Sequence, residues 1–173
     1  MCCSALQKLF DGCSDPPAGG VHNVVTMDVM ELRAVVYEHI AASGEVPSRA
    51  QLIDLVGGGR RVDELLAEAH ERHLLVLDDR PERYGEIRMA LPFAAEPTGF
   101  RVTTADGAWW ANCAWDSLAV LAAFGVDGRI DATWFDSGDR VDLGVVDGCL
   151  DDPAGFVQFA VPARHWWDDI VFT

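Results

Sequence analysis

The stretch Trp109-Trp110-Ala111-Asn112-Cys113-Ala114-Trp115-Asp116 joins a segment patterned like a β-strand to an apolar segment typical of a helix. Upstream of the cysteine, the pair Asp106-Gly107 separates two apolar runs and predicts a β-hairpin with strands at 100–104 and 108–112. Downstream, residues 115–124 predict a helix that ends at a glycine. The rest of this half of the chain predicts three further strands, at 130–135, 141–145 and 156–161.

Cys113 and Asp116 in this stretch form a compact nucleophile and acid pair. If a helix begins near Ala114, a spacing of three residues brings the thiol and the carboxyl together in its first turn. The helix N-terminus is expected to lower the pKa of the thiol from its free value of about 8.5. Crowding by the surrounding tryptophans is expected to raise the pKa of the carboxyl and keep it protonated. A thiolate beside a neutral carboxylic acid suits capture of a soft electrophile with proton delivery to its leaving group.

The N-terminal half has a different pattern. Residues 1–26 combine Cys2, Cys3 and Cys13 with a Pro/Gly-rich run and predict a flexible leader. Residues 27–95 follow helical spacing and then hairpin spacing, with helices predicted at about 30–43, 49–55 and 62–73 and strands at 74–77 and 84–91.

Three helices followed by a hairpin is the outline of a winged helix, for which DNA binding and a scaffold role are both open. We therefore predict an α+β fold. An N-terminal winged-helix-like three-helix domain packs on a mixed α/β core with antiparallel strands, which spans residues 96–173.

The composition narrows the range of partners. The chain has 173 residues, half of them apolar, and a formal net charge of -15. Such a charge repels phosphate backbones and argues against nucleic acid as a partner. The five cysteines do not have the even, close spacing of a disulfide framework, and no apolar run has the length of a membrane span. We expect a cytoplasmic protein with no membrane partner.

Four segments resemble the alkylmercury (organomercurial) lyase family over about residues 30–173. They are Leu91-Pro92-Phe93, Pro97-Thr98-Gly99-Phe100-Arg101-Val102, Trp110 to Asp116, and Val161-Pro162-Ala163-Arg164-His165-Trp166-Trp167-Asp168-Asp169-Ile170. The resemblance implies an enzyme of mercury resistance that cleaves carbon–mercury bonds in small organomercurial substrates without an organic cofactor. By motif, Cys113 is the thiolate that captures mercury, and Asp116 carries the proton and then helps to hold Hg(II) as bound product. An external thiol or a mercury-accepting protein is expected to remove the metal.

One departure bears on this assignment. The family's mercury site implies a second cysteine directly after the segment Asp169 to Thr173, where this chain stops. Either the sequence is truncated there or the site is built differently, and Cys149 could serve as a metal ligand if the fold brings it beside Cys113. Two thiolates bind a soft cation better than one. A non-catalytic soft-metal-binding protein of the same fold therefore stays open, and so does a winged-helix metal-responsive regulator, which the acidic balance disfavours.

Several other polar and aromatic residues have simpler explanations. His39, His70 and His73 are expected at the surface, since no third metal ligand accompanies the His70 and His73 pair. Trp166 and Trp167 suit either the mouth of a substrate site or the alternating faces of a strand.

Overall fold

The computed structural model describes residues 27–134, 136–151 and 157–171. The predicted leader 1–26, with Cys2, Cys3 and Cys13, lies outside the described residues. So do Phe156, with which one predicted strand begins, and Thr173.

Local capping signals set the ends of the N-terminal helices. The side chains of Asp28 and Ser48 accept hydrogen bonds from the backbone N–H groups of Glu31 and Gln51. The side chains of Glu31 and Gln51 in turn accept hydrogen bonds from the backbone N–H groups of Asp28 and Ser48. Each pair is a capping box, which satisfies backbone donors at the start of a helix. The third helix begins at Gly59, directly after its N-cap Gly58 and three residues before the predicted start at Val62. The helices are α1 (Val29–Ser43), α2 (Arg49–Val56) and α3 (Gly59–Glu71).

A small antiparallel sheet follows the helices, as predicted. Its strands lie in the order β1-β2-β3 and comprise β1 (Val76–Leu77), β2 (Ile87–Ala90) and β3 (Phe93–Ala94). The order of helices and hairpin agrees with the sequence, while the winged-helix assignment stays a prediction.

The C-terminal half consists of five strands and one helix, which are β4 (Arg101–Thr103), β5 (Ala108–Trp110), α4 (Ala114–Phe124), β6 (Gly128–Thr133), β7 (Arg140–Val146) and β8 (Cys149–Leu150). The strands form an antiparallel sheet in the order β5-β4-β6-β7-β8, and α4 lies between β5 and β6 along the chain. The observed helices and antiparallel sheets confirm the α+β class.

The predicted hairpin of β4 and β5 is confirmed, and Gly107 in its turn is needed sterically. A Cβ atom at Gly107 would lie 2.8 Å from Cη2 of Trp109.

The predicted strand at 156–161 is wrong over its described residues. Residues 157–161 form no strand and are followed by a 3-10 helix, Ala163–Asp168, while β8 is the last strand of the sheet. Phe159 in this segment packs on Trp115 of α4 and on Trp166 of the 3-10 helix instead of on a sheet. Alternating apolar residues therefore reflected an aromatic cluster and not a pleated strand.

One hydrophobic core crosses the predicted boundary between residues 95 and 96. Trp109 of β5 is only 4% exposed, and its indole N–H donates to the carbonyl of Ile40 in α1 at 2.9 Å. Phe93 of β3 pairs through a bridge with Ala111, and its ring lies 5.8 Å from that of Phe124 in α4. These contacts fix the end of β5, and with it Cys113, against the N-terminal helices.

Among the residues that the structure describes, no helix combines the length and the apolar character that a membrane crossing requires.

Candidate active site

Cys113 occupies the junction between β5 and α4. It is the N-cap of α4, with an extended backbone at φ −151°, and its Sγ accepts a hydrogen bond from the Asp116 amide at 3.4 Å. A sulfur in this position takes the place of the oxygen of a usual N-cap side chain. The helix begins at Ala114, as the sequence predicted, and ends at Gly125, which adopts the left-handed conformation.

Asp116 lies in the first turn of the same helix, and the structure brings its carboxyl together with the Cys113 thiol. Interactions with the Asn112 and Cys113 side chains lower the pKa of this carboxyl in part. Burial has the larger effect, so the pKa of Asp116 is raised above its ordinary value, in the predicted direction.

The expected low pKa of the Cys113 thiol is wrong. Burial raises the thiol pKa and outweighs the hydrogen bond from the Asp116 amide, which lowers it, and the charge of Asp116 raises it further. The helix N-terminus does act in the predicted direction, but it is weaker than desolvation in this half-buried position. Burial therefore shifts both groups towards their neutral forms.

The three tryptophans of this stretch have different surroundings. Trp109 points into the core, the Trp110 ring lies 4.5 Å from the Arg101 guanidinium, and Trp115 is 52% exposed. Their effect on the pKa of the Asp116 carboxyl stays a prediction. An aromatic residue of α1, Tyr37, lies within electrostatic range of Asp116, whose charge is one of the causes that raise the pKa of Tyr37.

Sequence patterns did not point to Tyr37. Its hydroxyl donates to the Leu91 carbonyl at 2.5 Å, and its ring makes an edge contact with Phe93 at 6.1 Å. The Arg33 guanidinium lies 4.9 Å from the ring centroid, yet burial is the larger influence and raises the pKa of Tyr37. Tyr37 thus joins α1 to the loop after β2 as a hydrogen-bond donor, and only the tertiary packing brings it within electrostatic range of Asp116.

Asn112 lies between the loop after β2 and the acid. Its side-chain amide donates to the Pro92 carbonyl at 3.0 Å, and its backbone N–H donates to the same oxygen at 3.3 Å. Among the described residues, its buried Oδ1 has no hydrogen-bond partner.

The structure does not bring Cys149 to this site. Cys149 is exposed in β8, and three strands separate β8 from β5, an edge-to-edge distance of roughly 19 Å at the usual strand spacing. The predicted ligand set of Cys113, Asp116 and Cys149 is therefore not assembled. Within residues 27–134, 136–151 and 157–171, no cluster of three or more His, Cys, Asp and Glu side chains is suited to a metal ion.

An apolar cavity lies beside the start of α4. It has a volume of about 500 Å³, is open to solvent, and is lined by Trp115, Phe159, Trp166 and residues 160–163, but not by Cys113 or Asp116. Trp166 therefore borders an opening from a 3-10 helix and not from a strand, and its place at the mouth of a substrate site stays a prediction. Trp167 does not line this cavity, because its ring stacks on His73 with 3.9 Å between ring centroids.

A sequence profile of the alkylmercury lyase family (MerB) matches residues 93–173, which include Cys113 and Asp116. No curated protein matches the chain.

Among solved structures, the fold is similar to that of the mercury-bound form of MerB2, with a TM-score of 0.54 and 21% sequence identity. The similarity covers 72% of this chain, which spans 58% of the length of the MerB2 chain. The resemblance to the alkylmercury lyase family that the motifs predicted is thus confirmed for residues 93–173.

Proposed function

We propose that this protein cleaves carbon–mercury bonds by protonolysis, with Cys113 as the capturing sulfur and Asp116 as the proton carrier. The observation that carries the proposal is the hydrogen bond from the Asp116 backbone amide to the half-buried Cys113 sulfur, which places the thiol in the same helical turn as a carboxyl whose pKa is raised by burial, inside the segment that resembles the family. A general acid must hold its proton until the leaving group needs it, and burial favours that form of Asp116.

The first step is capture. The sulfur of Cys113 bonds to mercury of an R–Hg–X substrate, and the thiol proton leaves with the displaced ligand as HX. A raised thiol pKa is compatible with this step, because a soft metal displaces the proton as it binds sulfur. The neutral resting thiol therefore becomes a thiolate only when mercury is present.

The second step breaks the carbon–mercury bond. The electron pair of that bond stays with carbon, which takes the proton of Asp116 and leaves as the hydrocarbon RH. Mercury(II) stays bonded to the Cys113 sulfur, and the new Asp116 carboxylate offers an oxygen ligand. Two external thiols then remove Hg(II) as a dithiolate complex and return one proton each to Cys113 and Asp116.

The apolar cavity beside α4 supports an uncharged organic group as R. Its aromatic walls at Trp115, Phe159 and Trp166 offer a surface for alkyl or aryl carbon next to the helix turn that carries the acid. This placement favours an arylmercury compound as the test substrate.

A second candidate function is sequestration of Hg(II) or another soft metal without turnover. It is favoured by one observation: the described residues place no second cysteine beside Cys113, since Cys149 lies at the opposite edge of the sheet. We infer that turnover is then impaired, because a single thiolate with a carboxylate holds mercury less firmly than two thiolates do while the C–Hg bond is cleaved.

The test is release of benzene from phenylmercury acetate in excess thiol. Wild-type protein is expected to release benzene, whereas Cys113→Ala and Asp116→Ala are expected to release none above the protein-free rate. Cys149→Ala serves as the matched control and is expected to act like wild type. Tight Hg(II) binding by Cys113 without benzene release would reject the lyase in favour of the metal-binding function.

A further inference from the structure

Arg33 in α1 is an exception among the arginines of this acidic protein. Most arginines of the described residues lie within 4.0 Å of a carboxylate, as Arg49, Arg80 and Arg129 do. In the part of the chain that the structure describes, Arg33 forms no ion pair, and its buried Nε has no hydrogen-bond partner. A partly buried guanidinium that loses water without gaining an anion is costly and uncommon in native proteins.

The contact with Tyr37 holds Arg33 without satisfying it. The guanidinium carbon lies 4.9 Å from the centroid of the Tyr37 ring, which is close enough for a cation–π interaction. The face of a ring attracts the positive charge, but it offers no oxygen to the N–H groups. A guanidinium has five N–H donors in a planar fork that matches the two oxygens of a carboxylate. Tyr37 therefore fixes the cation and does not supply the anion that its donors fit.

A short series of contacts connects Tyr37 to the candidate active site. The Tyr37 hydroxyl donates to the Leu91 carbonyl at 2.5 Å. The carbonyl of the next residue, Pro92, accepts a hydrogen bond from the backbone N–H of Asn112 at 3.3 Å, and Asn112 directly precedes Cys113. The guanidinium that lies on the Tyr37 ring is thus attached to the segment that carries the capturing thiol.

The substrate itself offers an anion of the right chemistry. Within the described residues no ion pair joins Arg33 to Asp116, so the acid of the site does not neutralise this guanidinium. Mercury in an organomercurial is bonded to a carbon group and to one further ligand, which in excess thiol is a thiolate because mercury is a soft metal. Either group can bear a carboxylate.

We propose that Arg33 binds a carboxylate carried by one of the two groups bonded to mercury, so that the protein favours anionic organomercurials over neutral ones. The proposal rests on the proposed cleavage of carbon–mercury bonds and names its substrate class. The carboxylate belongs either to the organic group or to the thiol ligand, and the guanidinium recognises both in the same way. Arg33 touches neither mercury nor the reacting carbon and acts on substrate preference.

The kinetic experiment compares wild type with Arg33→Gln in three reactions. The reference is phenylmercury chloride in excess 2-mercaptoethanol, in which neither group on mercury is charged. The second reaction places the carboxylate on the organic group, as 4-carboxyphenylmercury chloride in 2-mercaptoethanol, and the third places it on the thiol, as phenylmercury chloride in mercaptoacetate. We expect Arg33→Gln to raise KM about tenfold in the second or the third reaction, and to leave kcat and the reference KM within about twofold.

The reaction in which KM rises identifies the group that carries the carboxylate. Arg60→Gln is the matched control, because it removes the same charge from an exposed arginine of α3 that has no ion pair among the described residues. It is expected to leave all three KM values within about twofold of wild type. A KM that rises equally in all three reactions of Arg33→Gln shows a structural role for Arg33 and overturns the proposal.

A second readout needs no turnover. N-(4-carboxyphenyl)maleimide and its neutral analogue N-phenylmaleimide both alkylate thiols, and peptide mass spectrometry reports the rate at each cysteine. At Cys113, the rate with the anionic reagent relative to the neutral one is expected to fall about three- to tenfold in Arg33→Gln. At Cys149, on the opposite edge of the sheet, this ratio is expected to stay unchanged.

An unchanged ratio at Cys113 together with three unchanged KM values overturns the proposal. If the wild-type protein releases no hydrocarbon from either organomercurial, the proposed function fails, and the maleimide ratio alone decides whether Arg33 attracts a carboxylate to Cys113.

Discussion

At one edge of the five-stranded sheet, Cys113 caps a helix, is half-buried and contacts an acid, whereas at the opposite edge Cys149 lies exposed in the short strand β8. The surroundings differ in the same way. The β5 edge packs against α1 through Trp109, while the side of the sheet formed by β6, β7 and β8 carries exposed ion pairs around Arg129 of β6. Residue type is therefore a poor guide to a candidate nucleophile in this protein, because burial and helix capping distinguish the two thiols.

The largest expected effect separates these two cysteines directly. Cys113→Ser is expected to abolish hydrocarbon release, since the hard hydroxyl oxygen of serine is a poor ligand for a soft metal. Cys149→Ser is expected to keep the wild-type rate within about twofold, as for a surface change away from the site. Gas chromatography of released benzene measures both. An equal loss of benzene release in the two variants would contradict the assignment of the reaction to Cys113 rather than Cys149.

The two edges should also differ in their contribution to folding. Trp109→Ala removes a buried aromatic ring and its bond to Ile40, and we expect it to lower the free energy of unfolding by about 3–5 kcal/mol. Leu150→Ala at β8, where the side chain is 38% exposed, is expected to cost no more than about 1 kcal/mol. Urea denaturation followed by fluorescence measures both values. A cost at Leu150 equal to that at Trp109 would contradict the described core.

The buried acid predicts a pH dependence of stability. The folded state raises the pKa of Asp116 above 3.8, so the folded protein holds this proton more tightly than the unfolded chain does. The stability that the neutral carboxyl contributes is complete below the unfolded pKa and is lost as pH rises through the folded pKa. Asp116→Asn is therefore expected to lose less stability than wild type as pH rises from about 4 towards neutrality.

The control for this pH dependence is Asp106→Asn, at an exposed hairpin turn. It is expected to follow the wild-type profile in urea denaturation across the same pH range. If Asp116→Asn loses as much stability as wild type between pH of about 4 and neutrality, the Asp116 carboxyl does not have the raised pKa of a buried acid.

The smallest expected effect lies at the other edge. Arg129 bridges Asp142 at 2.7 Å and Asp151 at 3.0 Å on the exposed face of the sheet. Exposed ion pairs contribute little and are screened by salt, so Arg129→Gln is expected to lower Tm slightly at low ionic strength. The difference should vanish at about 1 M salt. A large decrease in Tm that persists in salt would mean that this edge is more tightly packed than described.

Much of the fold could be predicted from local signals. Capping residues such as Asp28 and Ser48, and the Asp106-Gly107 turn, act within a few residues of the structure they specify, so the helices and the β4–β5 hairpin were predicted close to their observed ends. The segment 157–161 was mispredicted as a strand, because alternation shows that side chains are apolar without showing which surface they contact.

The candidate site was predictable only in part. The spacing of Cys113 and Asp116 brings the two groups together in one helical turn, and this local relation survives in the fold. Tyr37 is distant in sequence from both, and only packing of α1 on the sheet brings it within reach of Asp116. The position of Cys149 was equally unpredictable, because strand order in a sheet depends on nonlocal pairing.

The amino-acid sequence by itself determined the helix boundaries, the hairpin turn and the pairing of a thiol with a carboxyl in one helical turn, because each depends on interactions between near neighbours. Tertiary structure alone decided how far the Cys113 thiol is desolvated, that Tyr37 lies within electrostatic range of Asp116, and which cysteine is left at the far edge. Desolvation depends on everything that packs around a group, and here it outweighed the helix N-terminus and raised a thiol pKa that local reasoning had placed low.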